Sequence, residues 1–157
     1  MTRILIADGS DVVRRLLKLL IESRAGWVVC GEATNGPDAV RKSNELKPDA
    51  IVLDLAMEGL NGLLAAREIS NSLPNVPILL HTVNNIPAVV AEAKKFGIRR
   101  VVGKGVDGDR LLNAIQDELD AKPRGVAALL EEAAPQIGDG GETEAADGGE
   151  GAPPKVN

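Results

Sequence analysis

The sequence of 157 residues predicts an α/β protein with a five-stranded parallel sheet that is covered by helices on both faces. Short apolar runs alternate with longer stretches whose apolar residues repeat at helical spacing. The short runs are almost entirely apolar, which is typical of parallel strands that are buried on both faces. Right-handed connections between such strands then place helices on both sides of the sheet.

The predicted strands are short and are separated by breaks rich in glycine, proline and asparagine. They are residues 3–7 (RILIA), 27–30 (WVVC), 50–55 (AIVLDL), 78–82 (ILLHT) and 100–102 (RVV). Each is followed by a stretch with helical character, so the chain predicts a repeated strand–helix unit.

The helices are predicted from the spacing of apolar residues and from the residues at their ends. In the first helix, two rows repeat every four residues and predict a buried apolar stripe. The rows are Val12, Leu16 and Leu20, and Val13, Leu17 and Ile21. Pro37 favours the start of a second helix at residues 38–46. The third helix contains Leu63, Leu64, Ile69 and Leu73, and the last two are residues 88–96 and 110–119.

The composition excludes several classes of function. One cysteine and one histidine exclude the usual zinc sites. Aromatic residues are limited to Trp27 and Phe96, and the net charge is −5, so neither a base-stacking platform nor a basic nucleic-acid surface is predicted. Neither a signal-peptide core nor a membrane-spanning apolar run is present. We therefore expect a cytoplasmic protein with no membrane or nucleic-acid partner.

The composition changes after the last predicted helix. Residues 1–122 are predicted to form the folded domain, and residues 123–137 a short helix or linker. Residues 138–157 are rich in glycine and acidic residues and poor in large apolar ones. Such a segment cannot bury enough apolar surface to fold, so a disordered acidic tail is expected.

Polar residues stand at the carboxyl ends of four predicted strands, where open α/β sheets bind their ligands. They are Asp8, Asp54, Thr82 and Lys104. An aspartate can accept a phosphoryl group, and Mg²⁺ is typically held by one or two carboxylates. A lysine and a hydroxyl can bind phosphoryl oxygens. The set therefore predicts phosphoryl transfer to a carboxylate.

Residues 1–122 resemble the receiver domain of two-component response regulators, including chemotaxis-type and nitrate-response-type receivers. The matching stretches are ILIADGSDVVRRLL, GEATNGPDAV, KPDAIVLDLAMEGLNGL, VPILLHTVNN and VVGKG. The resemblance implies a flavodoxin-like (βα)5 fold with strand order 2-1-3-4-5. It also implies that Asp54 is the phosphoacceptor and that Thr82 and Lys104 act on the phosphoryl group. Mg²⁺ would be held by Asp8, Asp54 and the backbone carbonyl of Ala56.

The function that the resemblance implies is that of a stand-alone regulatory domain, not an enzyme. A histidine kinase or phosphotransfer protein would supply the phosphoryl group. Output would pass to a protein partner at the face formed by helix 4, strand 5 and helix 5. No helix-turn-helix pattern follows residue 122.

Three residues depart from the usual receiver pattern. Gly9 stands where a second metal-binding acid is expected, Val101 and Val102 occupy the region of an aromatic switch residue, and Glu58 replaces a loop proline. Asp11 or Glu58 could supply the missing charge, although a helix start and a solvated loop are their ordinary interpretations.

The departures leave two alternatives to a phosphorylated receiver. Gly9 favours a protein-interaction module that works without phosphorylation. A small aspartyl-phosphate hydrolase is the other alternative, but the short loops offer little material for a substrate cap. The pattern G-x-G-x-x-G at residues 103–108 is not taken as a dinucleotide site, because no further strand ending in an acid follows it.

Overall fold

The computed structural model describes residues 1–83, 87–105 and 107–121. These residues belong to one compact unit that spans Met1–Lys122. The linker or helix expected at residues 123–137 and the tail expected at residues 138–157 lie outside the described residues.

Strands and helices alternate throughout the described part of the chain. The strands are β1 (Thr2–Ala7), β2 (Trp27–Ala33), β3 (Ala50–Asp54), β4 (Ile78–Thr82) and β5 (Arg100–Gly103). The helices are α1 (Asp11–Glu22), α2 (Gly36–Leu46), α3 (Gly62–Ser72), α4 (Pro87–Lys95) and α5 (Gly108–Asp120). All strand pairs are parallel and the strand order is β2-β1-β3-β4-β5. The predicted fold class and strand order are confirmed.

The core consists of two layers, one on each face of the sheet. On one face, Ile4, Ile6 and Val52 pack with buried residues of α1 and α5. On the other face, Leu5 and Leu53 pack with buried residues of α2, α3 and α4. Successive strand residues point to opposite faces, so both sides of the central strands are buried. This explains why the strands are apolar at almost every position.

Helix α1 differs from the predicted buried stripe. Leu17 and Ile21 are buried, but Val12 is 59% and Leu16 61% exposed. A row of residues spaced by four advances around the helix axis, because a turn contains only 3.6 residues. Leu20, at the end of that row, has turned toward the core and packs against it. The prediction that Val12 and Leu16 are buried was wrong.

Strand β2 is three residues longer than the four residues predicted, because Gly31, Glu32 and Ala33 continue the pairing with β1. Strand β3 ends at Asp54, one residue earlier than predicted, so Asp54 is the last residue of that strand. No helix among residues 1–83, 87–105 and 107–121 is long and apolar enough to cross a membrane.

Candidate functional site

The carboxyl ends of β1, β3 and β5 bring three charged side chains together. The Lys104 ammonium nitrogen Nζ lies 2.9 Å from Asp8 Oδ2 and 3.2 Å from Asp54 Oδ1. The two carboxylates therefore share one cation, although the three residues are far apart in sequence. The topology explains this, since β1, β3, β4 and β5 are consecutive neighbours in a parallel sheet.

Asp8 is fixed by its loop. It is 2% exposed, and its side chain accepts a hydrogen bond from the Ser10 backbone N–H at 2.8 Å. Its own N–H donates to the Ala33 carbonyl at 3.0 Å, and its carbonyl accepts from Arg14 Nη1 at 2.7 Å. The Asp8 carboxylate is thus oriented by the start of α1 and by β2. The predicted set of site residues did not include Ser10 or Arg14.

Asp54 is 7% exposed, which leaves its carboxylate mostly buried. Burial raises the pKa of the Asp54 carboxyl and the nearby Asp8 charge adds to this, while Lys104 and the Ala56 backbone N–H act in the opposite direction. The start of α3 lies directly against this residue, since a Cβ at Gly62 would be 2.2 Å from the Asp54 carbonyl oxygen. Gly62 therefore permits the close approach of the start of α3 to Asp54.

Lys104 and Thr82 are joined through their backbones. The Lys104 N–H donates to the Thr82 carbonyl at 2.9 Å, and Thr82 pairs with Gly103 in the sheet. The Thr82 side chain is buried, with 2% exposure. Burial alone would lower the pKa of the Lys104 ammonium, but hydrogen bonds and charges from Asp8 and Asp54 outweigh it and raise the pKa. The ammonium is therefore charged at neutral pH.

The residues present fit a hard divalent cation. Asp8 and Asp54 offer buried carboxylate oxygens at one edge of the sheet, and Ala56 follows β3 in an exposed loop. Mg²⁺ needs only one or two protein carboxylates and fills its remaining positions with carbonyls, waters and phosphate. Within the described ranges no cluster of three or more acidic, histidine or cysteine side chains is present that could hold a metal. The site is therefore a two-carboxylate site.

Gly9 directly follows Asp8 and leaves room for a side chain. A Cβ added at Gly9 would meet only the Thr34 carbonyl oxygen, at an ordinary contact distance of 3.7 Å. Asp11 and Glu58 are the two acids that could supply the missing charge, and both are exposed. Asp11 forms an ion pair with Arg14 and its side chain is 74% exposed. Glu58 is exposed, and its backbone forms an isolated bridge with Asn35.

His81 pairs with Asp54 across β3 and β4, and the alternation of strand residues places its side chain on the sheet face that is covered by α1 and α5. It is 8% exposed and lines a cavity between α1 and α5 together with Lys104. Burial, aided by the Lys104 charge and opposed by Asp8, lowers the pKa of His81 to about 4. The imidazole is therefore neutral at pH 7.

Known proteins share this architecture. Residues 4–116 match the family model described as "Response regulator receiver domain". The chemotaxis protein CheY of Thermotoga maritima is 39% identical over 113 residues, which are 72% of this chain and 93% of CheY. The transcriptional regulatory protein YdfI of Bacillus subtilis is 36% identical over 129 residues, 82% of this chain but only 58% of YdfI.

Solved structures give the same result. The response regulator domain of Thermotoga maritima CheB aligns with a TM-score of 0.74 at 29% identity and covers 78% of this chain and 99% of that domain. A LuxR-family two-component response regulator from Aurantimonas sp. aligns with a TM-score of 0.74 at 30% identity and covers 87% and 99%. The family match extends from β1 into α5 and includes all the strands that carry the acidic pocket. This chain therefore belongs to the response regulator receiver domain family.

Proposed function

We propose that this receiver domain is a phosphorylation-controlled switch in which Asp54 accepts a phosphoryl group from a histidine kinase or phosphotransfer protein in the cytoplasm. The observation that carries the proposal is the position of the Lys104 ammonium between the carboxylates of Asp8 and Asp54. Receiver domains are regulatory and not enzymes in the ordinary sense. We propose the same for this chain and no turnover of an external substrate.

The chemical step follows from this arrangement. An oxygen of the Asp54 carboxylate attacks the phosphorus of a phosphohistidine, a P–O bond forms, and the P–N bond breaks. The electron pair of the P–N bond stays on the departing imidazole nitrogen, which takes up a proton from solvent. Lys104 stabilises negative charge on the phosphoryl oxygens, and the Thr82 hydroxyl is proposed to bind one of them. Asp8, Asp54 and the Ala56 carbonyl would hold Mg²⁺, which would neutralise further negative charge on the phosphoryl oxygens.

The proposed output surface is the face of α4, β5 and α5. Phosphorylation replaces the Asp54 carboxylate by an acyl phosphate whose phosphoryl group carries about −1.5 to −2 charge, and this group attracts Lys104 and the Thr82 hydroxyl. Their backbones are hydrogen bonded at the ends of β4 and β5, so movement of one is transmitted to the other. Val101 on β5 replaces an aromatic arm, so we propose that the backbone carries the change to a protein partner.

The domain boundaries stay a proposal. Helix α5 ends at Asp120 and the family match ends at residue 116, which supports a receiver domain within residues 1–122. We propose that residues 123–137 are a linker or short helix and that residues 138–157 are an acidic tail.

A direct test is incubation of the chain with Mg²⁺ and a small acyl phosphate, followed by intact mass measurement. We expect a mass gain of one phosphoryl group. Asp11→Asn is a matched control, because Asp11 lies near the pocket but is held by Arg14; this variant should gain the same mass. Absence of any gain at millimolar Mg²⁺ would contradict the proposal.

A second candidate is a protein-interaction module that works without phosphorylation, and Gly9 is the observation that favours it. The retained Asp54, Thr82 and Lys104 favour the phosphorylated switch. The two candidates give opposite results in the mass measurement, because only the switch gains a phosphoryl group.

Replacement of Gly9 by aspartate should strengthen Mg²⁺ binding by about 10-fold or more, equivalent to about 1.4 kcal/mol. The new side chain would have room next to Asp8, and the backbone at Gly9 does not require glycine. Mg²⁺ titration of wild type and variant, followed by NMR or calorimetry, measures the change.

Gly105→Asp is the control for this titration. A Cβ at Gly105 meets nothing within 4 Å, and the substitution adds the same charge next to Lys104. Equal gains in both variants would show a general charge effect and would count against a specific metal position at residue 9.

A further inference from the structure

Helix α1 presents an apolar stripe to solvent. Among residues 1–83, 87–105 and 107–121, six large apolar residues are exposed, and three of them, Val12, Leu16 and Leu19, lie on this helix. Residues three and four apart are neighbours on a helix surface, so these three side chains form one row along the axis. Single exposed apolar residues are ordinary in folded proteins, whereas a contiguous apolar patch is typical of a surface that binds another protein.

The two sides of this stripe differ in character. On one side the apolar surface continues into a cavity of about 220 Å³ between α1 and α5, which is lined by Leu16, Leu20 and Leu111. On the other side Arg15 and Glu22 are exposed and lie in a second row, because residues seven apart return to nearly the same side of a helix. An apolar seam with one row of charges beside it is the pattern by which helices pair with other helices.

Arg15 and Glu22 do not reach each other within one chain, because seven residues correspond to a rise of about 10.5 Å along the helix. A two-fold axis that makes two copies of α1 antiparallel brings the same side of both helices together with the residue order reversed. Arg15 of one copy then faces Glu22 of the other, and this pair occurs twice. A parallel arrangement would instead place Arg15 beside Arg15, so the charges favour the antiparallel one.

Glu22 is held in place for such a contact. Its Oε2 accepts a hydrogen bond from the Val29 backbone N–H at 3.0 Å, which fixes the side chain at the end of α1. A carboxylate has two acceptor oxygens, so Glu22 can also accept from an arginine of a second copy.

We propose that the α1 stripe is the docking surface for a second copy of this chain, with the two α1 helices antiparallel across a two-fold axis. Leu16 of each copy would pack against Leu19 of the other, next to the cavity that Leu16 lines. One helix of 12 residues from each copy forms an interface at the small end of the specific range. We therefore expect a weak dimer, with a Kd on the order of 100 μM.

The test is sedimentation velocity of the unphosphorylated full chain without Mg²⁺, at concentrations from about 10 μM to about 1 mM, which bracket the expected Kd. We expect a shift from monomer to dimer across this range. Leu19→Glu should raise the Kd at least 10-fold, because the new charge would be buried in the seam without a partner. Leu19 is 71% exposed in the single chain, so this substitution should not disturb the fold. Leu64→Glu, on the exposed side of α3, is the matched control and should leave the Kd unchanged.

Two charge variants test the antiparallel arrangement. Arg15→Glu and Glu22→Arg should each raise the Kd about 10-fold, because like charges then face each other twice across the two-fold axis. In an equimolar mixture of the two variants every charge faces its opposite, so dimers should recover to within about twofold of the wild type. Unchanged dimers in both single variants would overturn the antiparallel arrangement.

Two further results would overturn the proposal. A wild-type chain that stays monomeric up to about 1 mM would show that a different protein, and not a second copy, covers the α1 stripe. Dimers that persist unchanged in Leu19→Glu would place the contact between copies on another surface. The wild-type result is decisive whether or not the variants fold, and it is independent of phosphoryl transfer to Asp54.

Discussion

Replacement of Asp54 by asparagine is expected to abolish phosphorylation of the chain by a small acyl phosphate. The amide has nearly the shape of the carboxylate but lacks its nucleophilic anionic oxygen, so the P–O bond cannot form. Lys104 keeps its hydrogen bond to Asp8 at 2.9 Å, so the pocket should retain its geometry. Intact mass spectrometry should detect no phosphoryl gain.

The same variant should be more stable than the wild type in metal-free buffer. Burial and the Asp8 charge raise the pKa of Asp54, which means that the ionised carboxylate is less favourable in the folded protein than in the unfolded chain. A neutral amide removes this cost, and we expect a gain on the order of 1 kcal/mol in the free energy of unfolding at pH 7.

The two readouts separate a chemical role from a structural one. Loss of phosphorylation together with loss of stability would indicate a damaged fold. Loss of phosphorylation with stability retained or raised would assign the effect to the missing carboxylate of Asp54. A full phosphoryl gain in Asp54→Asn would place the acceptor on another residue, and the proposed function of Asp54 would be wrong.

The stability of the wild type should fall by about 3 kcal/mol between pH 6.5 and pH 4 because of His81, at about 1.4 kcal/mol per pH unit. The pKa of His81 is lowered from 6.5 to about 4 in the folded protein. Above pH 6.5 the imidazole is neutral in both states and contributes no pH dependence. Between pH 4 and pH 6.5 the unfolded chain binds a proton that the folded protein does not, so acidification favours unfolding.

His81→Leu should remove this component of the pH dependence. Burial is the main cause of the lowered pKa, with the Lys104 charge as the second cause and Asp8 opposing them. Since carboxylates also titrate in this range, the measured quantity is the difference between wild type and variant in chemical denaturation at several pH values. The variant should be at least as stable at pH 7, because it removes an unpaired buried nitrogen.

A pH profile that is identical in wild type and His81→Leu would show that the imidazole accepts a proton in the folded state. In that case the ring would have access to water or to a partner through the cavity.

The sequence was sufficient to predict the architecture because parallel strands buried on both faces must be apolar at successive positions. The run AIVLD became β3 with every residue buried, and ILLHT became β4 at the predicted bounds. The same logic predicted that Asp8, Asp54, Thr82 and Lys104 lie at the carboxyl ends of the strands. Burial of an unpaired charge is costly, so a charged residue that borders an apolar strand is expected at the end of the sheet. There, solvent or an oppositely charged side chain can reach it.

The exposed side of α1 and the length of β2 could not be predicted from local sequence patterns, because they depend on contacts with neighbouring elements. The four-residue rows in α1 could not show that Val12 and Leu16 face solvent, since helix rotation is set by contact with the sheet. Gly31 suggested no strand, yet pairing with β1 extends β2 through it. In both cases a neighbouring element, not local propensity, determined the outcome.

By itself, the sequence determined the five strand–helix units, the parallel sheet and the set of polar residues at one edge, because these follow from apolar periodicity and chain connectivity. The order of the strands was implied by the resemblance to receiver domains. Only the tertiary structure decided that Lys104 lies between Asp8 and Asp54, that Arg14 engages Asp11, and that the Nδ1 of His81 is buried without a described partner. The reason is physical: charge pairing and burial depend on distances of a few ångströms between side chains that are remote in sequence.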